Sequence, residues 1–160
     1  MAKVQQIVGF RVGRENFGVP ISVVHEIVPM MEITNIPDSP AHIEGVINLR
    51  GKVIPVVDLR KRFAEAVVPN RRNRIMVAEL DGHPVGLIVD AANEVLKIDS
   101  DLIEPPPNVF EQGELNYVTG VGKVGGKLVI LINMAKIMEH GDLRRITEFA
   151  EMASKAAAAR

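Results

Sequence analysis

The chain repeats part of itself. Glu44 to Lys61 aligns without a gap with Thr119 to Lys136, so that Gly45, Val46, Gly51, Lys52 and Lys61 recur as Gly120, Val121, Gly126, Lys127 and Lys136. Each copy reads as strand, glycine turn and apolar strand, and each closes at a residue that begins a helix well, Asp58 in one and Asn133 in the other. Two copies this far apart do not make a solenoid, which needs at least about three contiguous repeats. They imply two related β-barrels.

The rest of the pattern fits a mainly β chain. Gln5 to Val12 alternates through Ile7, Val8, Phe10 and Val12, and Gly13-Arg14-Glu15-Asn16 turns it into a second strand from Phe17 to Ile21. Ser22 is expected to cap a short helix carrying Val23, Val24 and Ile27 and ended by Pro29, although β-branched residues make it weak. Ser39 and Pro40 suit the start of one helical turn through Ala41 to Glu44. Arg74 to Leu80 and Pro84 to Val89 form a hairpin across Asp81-Gly82, and Val95 to Ile98 is a further strand. The Glu104 to Asn108 stretch, with three prolines, reads as a stiff surface connector. Beyond the Asn133 cap, Ile137 and Met138 suit a helix interrupted near Gly141; Leu143, Ile146, Phe149, Ala150 and Ala153 suit an amphipathic one whose Ala-rich end frays.

Composition removes several classes of function. Without cysteine there are no disulfides and no thiolate metal sites, which suits a reducing cytoplasm. No apolar run approaches the roughly 20 residues that span a bilayer, so a soluble chain is expected. A net charge of -1 gives no global field for nucleic acid, and five Phe, one Tyr and no Trp leave few platforms for unpaired bases.

Apparent motifs dissolve in context. Gly120-Val-Gly-Lys-Val-Gly125 spells the dinucleotide fingerprint, but a β-branched strand follows it where pyrophosphate needs a helix. His25-Glu26 begins a zincin motif whose second histidine is replaced by Pro29, and His42, His83 and His140 are scattered. Asp58 and Asp90 each close an apolar strand, where capping suits them better than acid–base work, and no serine lies in a nucleophile elbow. No catalytic residue, cofactor site or metal site is identified. The run Arg71, Arg72, Arg74 reads as a solvated linker, with a nucleic-acid patch as the alternative that would make the chain a nucleic-acid-binding tandem barrel.

Asn48-Leu-Arg-Gly51 followed by Val53-Ile-Pro-Val-Val-Asp-Leu-Arg60 resembles the signature hairpin of CheW-like domains. Val8-Gly-Phe10, Phe17-Gly-Val-Pro-Ile21, Val24-His-Glu-Ile27, Ile43-Glu-Gly-Val46, Val85-Gly-Leu-Ile-Val-Asp90 and Tyr117-Val-Thr-Gly-Val-Gly122 follow in the family's order. The resemblance implies two five-stranded SH3-like barrels in tandem, with short helices and a C-terminal helix. The CheW-like domain is expected over 5–140, with a first barrel over 14–68, a second over 71–136, the strand 5–12 joining either, and a helical tail over 141–160. It implies a cytoplasmic chemotaxis adaptor at membrane-associated arrays, coupling chemoreceptor signalling tips to the regulatory domain of the histidine kinase CheA, with other copies of itself as candidate further partners. The chain has no room for the kinase's own phosphotransfer and ATP-binding domains. Carried over by motif, Val24, Glu26 and Arg50 would face the receptor, and Ile43, Glu44 and Gly45 the kinase. The position of Glu44 can be basic in the family.

Overall fold

The computed structural model describes residues 4–35, 43–63, 66–80, 82–105 and 117–137, without the side chains of Asn93 and Glu94. The elements are β1 (Val4–Val12), β2 (Glu15–Pro20), β3 (Val24–Pro29), β4 (Ile43–Leu49), β5 (Lys52–Asp58), α1 (Leu59–Arg62), β6 (Arg74–Leu80), β7 (His83–Val89), β8 (Ala91–Asp99), β9 (Val118–Val124), β10 (Lys127–Ile132) and α2 (Met134–Ile137). They form two five-stranded sheets, ordered β8-β1-β2-β10-β9 and β3-β6-β7-β5-β4. We call the first barrel A and the second barrel B.

The strand orders correct the expected division into 14–68 and 71–136. Those spans are the repeating units of sequence, but neither is a barrel. The β1–β2 hairpin joins β8, β9 and β10, while the β6–β7 hairpin joins β3, β4 and β5. Each half of the chain lends its hairpin to the other half's three strands. The physical reason lies in two parallel contacts: β10 pairs with β2 through Leu131 and Gly18, and β5 pairs with β7 through Val56 and Gly86. A Cβ on Gly18 would come within 2.9 Å of Ile7 and 3.1 Å of Leu131, and one on Gly86 within 3.0 Å of Ile75 and 3.3 Å of Val56. Glycine at both positions lets the neighbouring side chains pack this closely over the paired strands.

The structure thereby extends the repeat into the hairpins, where sequence comparison found none. Phe10 opposes Phe17 and Val12 opposes Glu15 in one; Ala78 opposes Val85 and Leu80 opposes His83 in the other. The irregularities repeat too. The β4 register shifts between Ile43 and Gly45, at Glu44, and β9 skips Thr119, the matching residue, between Val118 and Gly120.

Alternation sorts the side chains into three cores. Ile54, Val56, Ile75, Val77 and Ile88 fill barrel B, and Ile7, Ile98, Val129 and Leu131 fill barrel A. The intervening residues of the same strands, among them Val8, Phe10, Val57, Met76, Leu87 and Ile132, point the other way and merge into a larger core between the barrels. Phe10, Phe17, Phe63 and Tyr117, every aromatic ring among the described residues, stack through it with centroids 5.8, 5.1 and 5.6 Å apart. Such offset stacks add about 0.5–1.5 kcal/mol per pair beyond buried area.

Other expectations meet the structure differently. The helix expected from Ser22 is instead a 3-10 turn, Ile21–Val23, without a side-chain cap, running into β3. β-branched Val24, Ile27 and Val28 fit a strand beside β6 better than a helix. Ile43 and Glu44 begin β4 rather than ending a helical turn. The Asp58 and Asn133 caps form as expected, accepting from the amides of Arg60 at 2.9 Å and Ala135 at 3.1 Å. Gly120 and Gly122 lie in a strand followed by a strand, so the fingerprint is a hairpin. The helix expected over 141–160, and all but the start of the proline connector, lie outside the described residues.

Gly45 has φ +152°, and a Cβ there would sit 2.2 Å from the Thr34 carbonyl oxygen, whereas Gly51, at φ +88°, faces open space. Gly45→Ala is expected to lower unfolding stability by about 2–3 kcal/mol in urea, and Gly51→Ala by about 1 kcal/mol. The Tyr117 phenol, the chain's only one, has its pKa raised, chiefly by burial, with Arg62 opposing. The fold therefore favours the neutral phenol: stability holds below the ordinary tyrosine pKa of about 10 and falls as pH rises past it. An ultraviolet titration is expected to show Tyr117 ionising later in the native protein than in urea.

Candidate partner-binding site

Barrel B is tied across its two outermost strands. Glu26 of β3 accepts a hydrogen bond from the Arg50 guanidinium on the β4–β5 turn, and Thr34, beyond β3, bridges to Val46 on β4 through bonds of 2.8 and 2.9 Å. Arg50 sits at φ +51°, ahead of Gly51, with the Asn48 side chain accepting from the Gly51 amide at 2.8 Å. The matching residue of the other copy is Gly125, at φ +57°. A left-handed arginine costs about 1 kcal/mol that glycine does not. Its guanidinium is 70% exposed and its pKa is raised, first by the hydrogen bond to Glu26 and then by that carboxylate's charge. The pair presents a donor fork and a carboxylate together at the surface.

Val24, the remaining residue expected to face the receptor, is half-buried against the inter-barrel core. Its neighbour His25 lies 2.9 Å from the Glu79 carboxylate on β6, a contact that sequence spacing gave no means of finding. Of the three residues expected to face the kinase, Ile43 is buried and Gly45 lies under Thr34, so neither offers a side chain to a partner. Glu44 stands out at the bulge and pairs with Lys61 at 2.6 Å. Lys61 is shared by both repeats, which marks the position but not the pairing.

Asp58 and Asp90 do converge, but in the interior and around an arginine. Arg60 donates through Nε and a terminal nitrogen to Asp58 at 3.0 and 2.9 Å, and its other nitrogen lies 3.6 Å from Asp90. Asp90 accepts from the Gly13 amide at 2.6 Å, and Asn73, with its amide oxygen toward Arg60, accepts from it at 3.0 Å. The guanidinium pKa is raised, first by the Asp58 hydrogen bond, with desolvation opposing. Each carboxylate is occupied by structural donors, so the pair makes a brace and not an acid–base couple. Gly13 belongs to barrel A and the others to the segments of barrel B, so the cluster fastens one barrel to the other.

The basic run is a local turn: Arg74 donates to the carbonyls of Arg71 and Asn73 at 2.7 and 2.8 Å, and Asn70 accepts from the Arg72 amide at 2.7 Å. This geometry uses the Arg74 guanidinium on the backbone and gives the nucleic-acid reading no support. None of the described helices is long and apolar enough to cross a membrane.

Arg60→Ala strands two buried carboxylates and is expected to destabilise by about 3–5 kcal/mol. Arg60→Met with Asp58→Leu is expected to recover much of that loss in the same urea titration.

The comparisons agree with this architecture. The family profile described as a CheW-like domain matches residues 6–142. The chain is 35% identical over 134 residues to the chemotaxis protein CheW of Rhizobium meliloti, covering 83% of this chain and 86% of that one. It is 31% identical to the chemotaxis protein CheW of Klebsiella aerogenes, covering 92% and 89%. The crystal structure of the scaffolding protein TtCheW from Thermoanaerobacter tengcongensis superposes with a TM-score of 0.77 and 43% identity, over 86% of this chain and 94% of that one. With interlocked barrels and these relatives along most of its length, the chain belongs to the CheW family of chemotaxis scaffolding proteins, which have no enzymatic activity.

Proposed function

We propose that this chain couples chemoreceptor signalling tips to the regulatory domain of the kinase CheA in the cytoplasm, and that it does so through two separate surfaces. The receptor surface is the Val24–Glu26 segment with Arg50. The single observation that carries this reading is the left-handed Arg50: a position where glycine is easier holds an exposed guanidinium paired with Glu26. Receptor tips are amphipathic helical hairpins, and such a helix offers apolar anchors at helical spacing with charges between them. Val24 and Ile27 supply apolar edge, and the ion pair exchanges partners with the helix charges and so fixes the register. The kinase surface is the Glu44 bulge with Lys61, while Ile43 and Gly45 hold that bulge in shape from behind.

Pull-down and titration with receptor cytoplasmic fragments and with the CheA regulatory domain separate the two surfaces. Glu26→Lys is expected to weaken receptor binding about tenfold or more and leave kinase binding intact, and Glu44→Lys to do the reverse. Arg50→Gly is expected to raise stability by about 1 kcal/mol while losing receptor affinity. A folded wild type that binds neither partner overturns the reading.

A further inference from the structure

The duplication supplies its own control for every position, and at one position the two copies differ in what they contain. In the first copy, Asp58 caps α1 and the Arg60 side chain fills the seam between the barrels, against Asp90 and Asn73. Matched through the repeat and the hairpin registers, the second copy has Asn133 for Asp58, Ala135 for Arg60 and Gln5 for Asn73. Ala135 leaves the seam unfilled there. A cleft of about 260 Å³ opens, with Gln5, Glu79, Asn133 and Ala135 in its lining and Gly18, Leu80 and Leu131 among its walls. Among the described residues its lining has one charged side chain, Glu79, and no cation.

From this we infer that the cleft between the barrels is a slot for the arginine side chain of a partner, which takes there the place that Arg60 takes in the first copy. The volume is below the roughly 300–1,000 Å³ of pockets that hold whole small molecules, and suits one long side chain. Apolar walls receive the stem, and acceptors at the polar end receive the planar fork. The Glu79 carboxylate engages His25 through one oxygen, and the second oxygen has no hydrogen bond among the described residues. The Asn133 side-chain oxygen, which accepts from the Ala135 amide, has a second lone pair, as Asp58 uses Oδ1 for both the Arg60 amide and Nε. The His25–Glu79 contact joins the cleft to the Val24–Glu26 segment, so the arginine is one carried by the receptor. That attribution rests on the function proposed above; the slot itself does not.

The first test is direct. Nα-acetyl-arginine amide added to the isotope-labelled protein is expected to shift the amide resonances of Gln5, Glu79 and Ala135, with the lysine analogue at least about tenfold weaker. Glu79→Gln is expected to reduce the arginine effect severalfold. No saturable shift in the wild type overturns the slot. The second test fills it from within: Asn133→Asp with Ala135→Arg recreates the first copy's arrangement. The double variant is expected to lose the probe's shifts and at least about tenfold in receptor affinity, while binding the CheA regulatory domain unchanged. A double variant that loses the probe yet keeps the receptor overturns the assignment to the receptor. If the wild type binds no receptor at all, the proposed function fails and the probe still decides the slot; if the double variant does not fold, Glu79→Gln against the receptor fragment decides the assignment.

Discussion

The two parallel strand contacts at Gly18 and Gly86 are the constraint on which everything else rests. At each, a hairpin from one half of the chain lies against the last strand of the other half's repeat, and at each a Cβ would press on the side chains packed around it. Because the hairpins are exchanged, every strand of the seam has one face in a barrel and the other in the core between barrels. The apolar strands are therefore buried on both faces over most of their length, which is why β5, β7 and the end of β10 read as continuous hydrophobic runs and not as alternating ones.

Sequence reading reached the class of fold and the repeated β4–β5 unit because those depend on local signals: glycine turns, apolar strands and capping residues. It placed the barrel boundaries wrongly because strand exchange is a long-range choice. Gly18 and Gly86 stand in hairpins whose other residues, Ile7 and Ile75 apart, have diverged, Phe10 against Ala78 and Gly9 against Val77, so the second repeat shows only in the register. The β3 segment was misread for a similar reason. Ser22 and Pro29 bracket it as helix ends do, and only pairing with β6 turns it into a strand.

The site was legible in part. Glu26 and Arg50 were named from motif context, and the structure brings their side chains together. Ile43 and Gly45 belong to the same motif but are inside, since a motif records what a position requires and not which way it faces. Glu79 has no local signature, since its partner His25 lies far along the chain, and Arg60 is held by its near neighbour Asp58 but meets Asp90 only through the fold. The inter-barrel core bears the same mark, with its aromatic rings drawn from the first hairpin, the end of α1 and the approach to β9.

The exchange also sets an order of events on the ribosome. Barrel B has all five of its strands once β7 has emerged, at Val89, whereas barrel A waits for β10 and Ile132. Until β8 emerges the first-made hairpin has only its own ladder within barrel A; β8 then covers the β1 edge, and the β2 edge stays open until β10 arrives. A lone two-stranded hairpin is marginal in water, and an open strand edge invites pairing with other chains. The segment synthesised first is thus among the last to be secured, with one strand edge open to wrong association until the final strand arrives.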